Sequence, residues 1–297
     1  MLLRGMRVRR TLMRDQAERL RELVNSQNQK GNPHKARIIA VTSGKGGVGK
    51  TNLSVNLSIC LSKMGQNVTL IDTDLGLANI DLMLGIIPQY HLGHVFSGEQ
   101  ELADVIMDGP AGVKIIAGGS GLQVLADLSS WQLDSCINRL ITLEENNDFI
   151  IFDTGAGISN KVVRFLLAAE EIIVVTIPEP TSIADAYGVI KIISKDNPNA
   201  KIYVAVNMVR NDEEGEQVVE RLQMVAEKFL HFPLEPLGYI QYDSNVPKAV
   251  KQQQPFSLTH PNSKASQSIK QMAQYLLALP QHPSRGLTSF FHKLFSW

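Results

Sequence analysis

Cysteine is nearly absent: Cys60 and Cys136 are the only two among 297 residues. That excludes a disulfide framework, and neither stands in a C-x-x-C pair or near histidines at zinc-finger spacing. A reducing, cytoplasmic setting follows. Net charge is lacking too, with Lys+Arg 29 against Asp+Glu 29, so no overall field steers the molecule toward a polyanion. Contact with nucleic acid or membrane has to come from a local patch. No apolar run reaches the roughly 18 to 20 residues that span a bilayer; the longest are strand-length, such as Glu171 to Ile177. The first 14 residues carry Arg4, Arg7, Arg9, Arg10 and Arg14 and no acid, but no apolar core follows, which disfavours a targeting leader.

What is present suffices for a full core. At 44% hydrophobic and 20% charged, disorder of the whole chain is excluded. Residues 1–35 read as a basic tail with a short amphipathic helix, Thr11 to Val24, and a polar linker broken by Gly31 and Pro33. From Arg37 onward, β-rich runs at Ile38 to Thr42, Val68 to Ile71, Val113 to Ile116, Phe149 to Phe152, Ile172 to Ile177, Ile202 to Val206 and Leu237 to Ile240 alternate with helical patterns such as Asn52 to Lys63, Trp131 to Leu143, Ser159 to Ala169 and Glu216 to Phe229. Several runs are apolar on both faces, which suits an α/β fold: a doubly wound, mainly parallel sheet with helices on both faces. One such domain is expected over 36–279. Pro280 to Ser284 then breaks the chain, and 280–297 is expected as a separate appendage.

Directly after the first strand stands Gly44-Lys45-Gly46-Gly47-Val48-Gly49-Lys50-Thr51, a G-x-x-x-x-G-K-[ST] loop, with Asn52 next. Glycines let successive backbone N–H groups wrap a polyphosphate, Lys50 reaches the β/γ-phosphates and Thr51 ligates Mg²⁺. Gly44, Gly46 and Gly49 also satisfy the dinucleotide pattern G-x-G-x-x-G, with Asp72 about 20 residues on. Against that, NAD binding uses no Lys-Thr pair, and the second strand ends in two acids, Asp72 and Asp74, rather than one. Phe149 to Asp153 supplies a carboxylate at the end of a buried strand for Mg²⁺, followed by the mobile-loop glycines Gly155 and Gly157; a simple cap for the next helix is the other reading of Asp153.

KGGVGKT with its extra Lys45, LIDTDLGLANID and IIFDTGAG together resemble the deviant Walker ATPases of the MinD/ParA class, from about Lys35 to Leu279. The resemblance implies an ATP-dependent homodimer in which Lys45 reaches the phosphates of the second copy. It implies that Asp74 orients the attacking water, that Asp72 lies near the metal, and that Gly155 belongs to a second switch. It also implies adenine contacts from Asn207 and from Asp243, in a Gly-x-Ile-x-x-Asp pattern; alone, Asn207 reads as a turn or cap residue. No N-K-x-D element is present, so ATP is favoured over GTP.

The last segment places Leu287, Phe290, Phe291, Leu294 and Phe295 on one helical stripe, with Arg285, His292 and Lys293 as cations and Trp297 at the end. Such a stripe suits anionic membrane lipids, and the resemblance implies the cytoplasmic face of the inner membrane. The stripe also suits a helix docked on the protein's own core or on a partner; the preceding linker and the aromatics favour lipid. Near the other end, Asp15-Gln16-Ala17-Glu18-Arg19-Leu20-Arg21 matches the DQAxxLR motif that opens the flagellar-number regulators of the class. That implies stimulation of an SRP-type GTPase, FlhF, through Asp15, Gln16, Leu20 and Arg21, with Gln16 beside the phosphoryl-transfer site. Flagellar C-ring proteins and a flagellar transcription activator are further partners the resemblance brings, with no specific nucleic acid. The competing functions are a MinD-like division-site ATPase and a ParA-like DNA-positioning ATPase, the latter disfavoured by the neutral charge. An iron–sulfur reductase of the superfamily needs cysteines after the switches, and both here precede Asp153.

Overall fold

The computed structural model describes residues 35–74, 79–118, 137–280 and 285–295, the last of these, Phe295, by its backbone only. The DQAERLR helix, with Asp15, Gln16, Leu20 and Arg21, lies outside the described residues, as do 131–136 of the expected Trp131 to Leu143 helix, and Trp297.

The strands are β1 (Arg37–Ser43), β2 (Val68–Asp72), β3 (Ile106–Asp108), β4 (Lys114–Ile116), β5 (Phe149–Ala156), β6 (Glu171–Thr176), β7 (Lys201–Val209) and β8 (Glu235–Gln241). They form one sheet in the order β3-β4-β2-β5-β1-β6-β7-β8. Every pairing is parallel except β3 with β4. That antiparallel edge was not among the expected runs. Three residues leading straight off a helix and returning through Gly109, whose N–H donates to Val113 O at 2.7 Å, are too short to show a period.

The helices are α1 (Lys50–Lys63), α2 (Ile80–Leu84), α3 (Leu92–Phe96), α4 (Leu102–Val105), α5 (Asn160–Ala168), α6 (Pro180–Asp196), α7 (Asp212–Leu230), α8 (Asn245–Lys251), α9 (Phe256–Thr259), α10 (Lys264–Ala278) and α11 (Gly286–Phe295). Strand side chains alternate between two apolar layers. Ile39 and Val41 of β1, with Ile173 and Val175 of β6, pack under α1 and α10. Ile38 and Ala40, with Ile172 and Val174, pack under α5, α6, α7 and α11. Continuous apolar runs in the central strands are therefore explained by a sheet covered on both sides.

The register sets Asp153 opposite both Val41 and Asp72. The loops after β1, β2 and β5 consequently leave the sheet side by side at its carboxyl edge, where ligands of open α/β sheets sit.

The C-terminal segment departs from expectation. Leu287, Phe290, Phe291 and Leu294 are buried in the layer beneath α5, and the Phe290 ring stacks on Phe152 at 4.7 Å and 8°, with Phe165 at 6.1 Å. The boundary expected at 279/280 is thus not a boundary in this structure: α11 belongs to the same compact unit as the sheet. These four residues, expected at a lipid surface, are core residues here, because the stripe that suits lipid equally suits an apolar groove. At its N-terminus, Gly286 (φ +80°) faces the buried Glu144, which accepts the Leu287 N–H. Arg285 pairs with Glu170 at 3.6 Å, and Lys35 Nζ donates to Arg285 O at 3.3 Å.

Candidate active site

The phosphate loop turns on positive-φ glycines, Gly47 (+80°) and Gly49 (+90°). A Cβ on Gly49 would sit 2.2 Å from Asn207 Nδ2, and one on Gly44 would meet the Asp185 backbone at 2.3 Å. Both positions therefore demand glycine, while Gly46 and Gly47 have open space around them. The loop feeds directly into α1, whose first-turn N–H groups have no intrahelical acceptor and carry partial positive charge. Gly46, Gly47, Val48 and Gly49 arc over this end, and half-buried Asn52 lies in its first turn.

Asp153, fully buried at the end of β5, is the hub. Its Oδ1 accepts Lys50 Nζ at 3.2 Å and Ser54 Oγ at 2.7 Å, and its Oδ2 accepts Thr51 Oγ1 at 2.7 Å. One ammonium, two hydroxyls and one carboxylate thus converge at a helix N-terminus below an open glycine loop. That donor set fits Mg²⁺ and a triphosphate: Lys50 and the loop amides for phosphate oxygens, Thr51 and Asp153 for the metal. Mg²⁺ when bound neutralises charge on the transferred phosphoryl group.

On the neighbouring strand, Asp72 accepts the backbone N–H groups of Asp74 (2.9 Å), Asn79 (3.0 Å) and Ile80 (3.2 Å). The carboxylate expected near the metal thus ties Asp74 to the start of α2. Burial, then the charge of Asp153, pushes its pKa up to about 6, against those three hydrogen bonds. Asp74 receives Asn79 Nδ2 at 3.3 Å and lies so close to Gly155 that a Cβ there would be 3.5 Å from Asp74 Oδ1. Between Asp74 and the residues that end β5 and begin α5 lies a cavity of about 170 Å³ lined by Thr73, Asp74, Gly155, Ser159 and Phe165, roomy enough for several waters at about 30 Å³ each. A carboxylate on the wall of such a chamber can orient an attacking water.

Lys45, half-buried, points along the rim to Glu179 Oε2 at 2.6 Å, with Thr181 Oγ1 at 3.5 Å. Both members of that ion pair are partly exposed, so it is worth at most about 1 kcal/mol and is readily exchanged for a stronger anion.

The expected adenine contacts fare differently. Asn207 Nδ2 donates to Val48 O at 2.8 Å and its Oδ1 accepts the Met208 N–H at 2.9 Å, so this side chain braces the phosphate loop. Asp243 accepts the N–H groups of Asn245 (2.9 Å) and Ala265 (3.4 Å), at the starts of α8 and α10. Burial raises its carboxyl, but these bonds and one from Ser263 together hold it below the ordinary value. Its oxygens serve helix ends. Sequence reasoning missed Ser54 and Glu179; a polar residue in the buried α1 and an acid just before α6 were the only signals.

The chain matches the CobQ/CobB/MinD/ParA nucleotide binding domain over residues 39–256. It is 43% identical to the antiactivator FleN of Pseudomonas aeruginosa over 265 residues, 89% of this chain and 94% of that protein. It is 37% identical to the flagellum site-determining protein YlxH of Helicobacter pylori over 295 residues, 96% of this chain and 99% of that one. The fold superposes on the septum site-determining protein MinD of Pyrococcus horikoshii, solved with Mg-ADP, with a TM-score of 0.66, 28% identity, and coverage of 84% of this chain and 99% of that one. With a glycine loop, an extra lysine and a buried strand-end aspartate meeting at the carboxyl edge of that sheet, the chain belongs to the CobQ/CobB/MinD/ParA family and is a MinD/ParA-class ATPase that uses ATP and Mg²⁺.

Proposed function

We propose that this ATPase is a nucleotide-governed switch that sets flagellar number or placement. The observation that carries the reading is the match to the flagellum site-determining protein YlxH over 96% of this chain, with FleN matching 89%. In this scheme ATP closes two copies face to face, Lys45 leaves Glu179 for the phosphates of the second copy, and Asp74 orients the water that ends the state. Asp72 and Asp153 serve the metal side, and Asn207 ties the base side to the phosphate loop through Val48.

Two further elements complete the switch. Helix α11 comes off the core and lays Leu287, Phe290, Phe291 and Leu294 into anionic lipid at the cytoplasmic face of the inner membrane, so that pairing two such helices multiplies weak anchors. The N-terminal DQAERLR segment stimulates an SRP-type GTPase of the FlhF kind, with Gln16 presented to its phosphoryl-transfer site. Among the described residues no helix is long and apolar enough to cross a membrane, and a reversible surface anchor is consistent with that. Sedimentation with vesicles containing phosphatidylglycerol tests the scheme: the protein pellets in Mg-ATP and stays in the supernatant in Mg-ADP. Equal partitioning in both nucleotides refutes it.

A further inference from the structure

Helix α1 is buried on nearly all sides, yet three of its enclosed residues, Ser54, Asn56 and Ser58, are polar and fully buried. Asn56 Nδ2 bonds Asn52 O at 2.8 Å and its Oδ1 accepts the Ser257 N–H at 2.9 Å; Ser58 Oγ bonds Ser54 O at 2.7 Å. These are bonds that hold backbone together. Ser54 differs, because its hydroxyl lies 3.1 Å from Lys50 O but 2.7 Å from Asp153 Oδ1. The hydroxyl has one proton to give, and the shorter bond, to a charged oxygen, is roughly twice as strong as a neutral one and takes the larger share.

The partners of Asp153 are not equivalent. Lys50 and Thr51 are the groups assigned to phosphate and Mg²⁺, so when they turn to the nucleotide the carboxylate keeps Ser54 alone among its present side-chain partners. A fully buried carboxylate with no fixed donor is free to rotate, and one oxygen no longer faces the metal site reliably. We propose that Ser54 is the positioning residue for Asp153, holding Oδ1 so that Oδ2 faces the metal position in both nucleotide-free and nucleotide-bound states. The proposal rests on the assignment of Asp153 to Mg²⁺.

The test is calorimetric nucleotide binding to the full chain, first in EDTA and then across a Mg²⁺ titration, for Ser54→Ala, Ser54→Cys and Ser54→Thr, with thermal melting of each nucleotide-free variant. Loss of an outer partner of a metal-binding group typically weakens metal affinity about 10–100-fold. Ser54→Ala is expected to raise the Mg²⁺ half-point about tenfold or more and to leave affinity in EDTA unchanged. Ser54→Thr, which keeps the hydroxyl, restores the wild-type half-point, and Ser54→Cys, a similar volume with a weak donor, falls between. An unchanged half-point in Ser54→Ala, an equal loss in EDTA, or no recovery with Thr overturns the proposal. If Ser54→Ala melts too low to measure, the Cys and Thr variants decide it by the same criteria. Asp153→Asn separates the layers: no rise in its Mg²⁺ half-point removes the metal assignment itself, whereas a rise there with none in Ser54→Ala removes only the role of Ser54.

Discussion

Substituting Gly286 by alanine isolates the docking of α11 without altering its apolar face. Gly286 has φ +80°, and a Cβ there would lie 2.1 Å from Glu144 Oε1 and 2.9 Å from Glu144 Cδ. Left-handed backbone costs a non-glycine residue about 1–2 kcal/mol. Displacing Glu144, a buried side chain, also forfeits its bond from the Leu287 N–H, and bonds to charged groups contribute about 1.5–3 kcal/mol. The sum is about 2.5–5 kcal/mol, set against a gross burial of about 6–12 kcal/mol for four large apolar side chains at about 1.5–3 kcal/mol each. Docking is then weakened by about 60-fold or more, at about 1.4 kcal/mol per tenfold. Since an isolated ten-residue helix is not stable in water, amide hydrogen exchange at 288–294 reports undocking directly. In the nucleotide-free protein those amides are expected to exchange about 60-fold faster or more in Gly286→Ala, while those of β1 and β6 stay unchanged. Exchange at 288–294 within threefold of wild type refutes the account of how this helix is seated.

The other expectations concern charge. Lys50→Ala abolishes measurable ATP binding and, by leaving fully buried Asp153 without its cation, lowers nucleotide-free stability by about 3–5 kcal/mol, read by denaturant unfolding. Asp74→Ala retains ATP and stays a dimer that releases no phosphate; a monomeric Asp74→Ala protein in ATP contradicts the switch assignment. Burial raises the Glu144 carboxyl above its ordinary value, outweighing the Leu287 N–H and Lys35, while Glu170 adds to the rise. A raised carboxylic pKa means the folded state holds the proton more tightly, so stability is present at low pH and is lost as pH climbs through the folded value. Glu144→Gln is therefore expected to melt higher than wild type at pH 7.5, with the advantage vanishing as pH falls through the carboxylate range; an advantage independent of pH contradicts this.

The phosphate loop, Asp153 and most of the central strands were legible in the sequence because each is a contiguous run whose spacing carries its meaning. The α11 stripe was legible as a stripe, but not what covers it: Phe152 and Phe165 lie far away in sequence and give no sign of an acceptor groove. The same holds for the supports of the site. Ser54 meets Asp153 across 99 residues and Lys45 meets Glu179 across 134, separations at which no period or motif operates. Asn207 and Asp243 are brought to the site by resemblance; the bonds their side chains make to the phosphate loop and two helix ends are visible only in side-chain geometry. The antiparallel β3 edge was too short to announce itself.

The central claim is that a glycine loop gripping ATP and Mg²⁺ closes two copies of the chain. Light scattering on the eluting protein tests it most directly. The account predicts the 32.8 kDa monomer in Mg-ADP, twice that mass in Mg²⁺ with a non-hydrolysable ATP analogue, and monomer in both for Lys45→Ala. A wild-type mass that does not change between the two nucleotides, with binding verified for each, contradicts it.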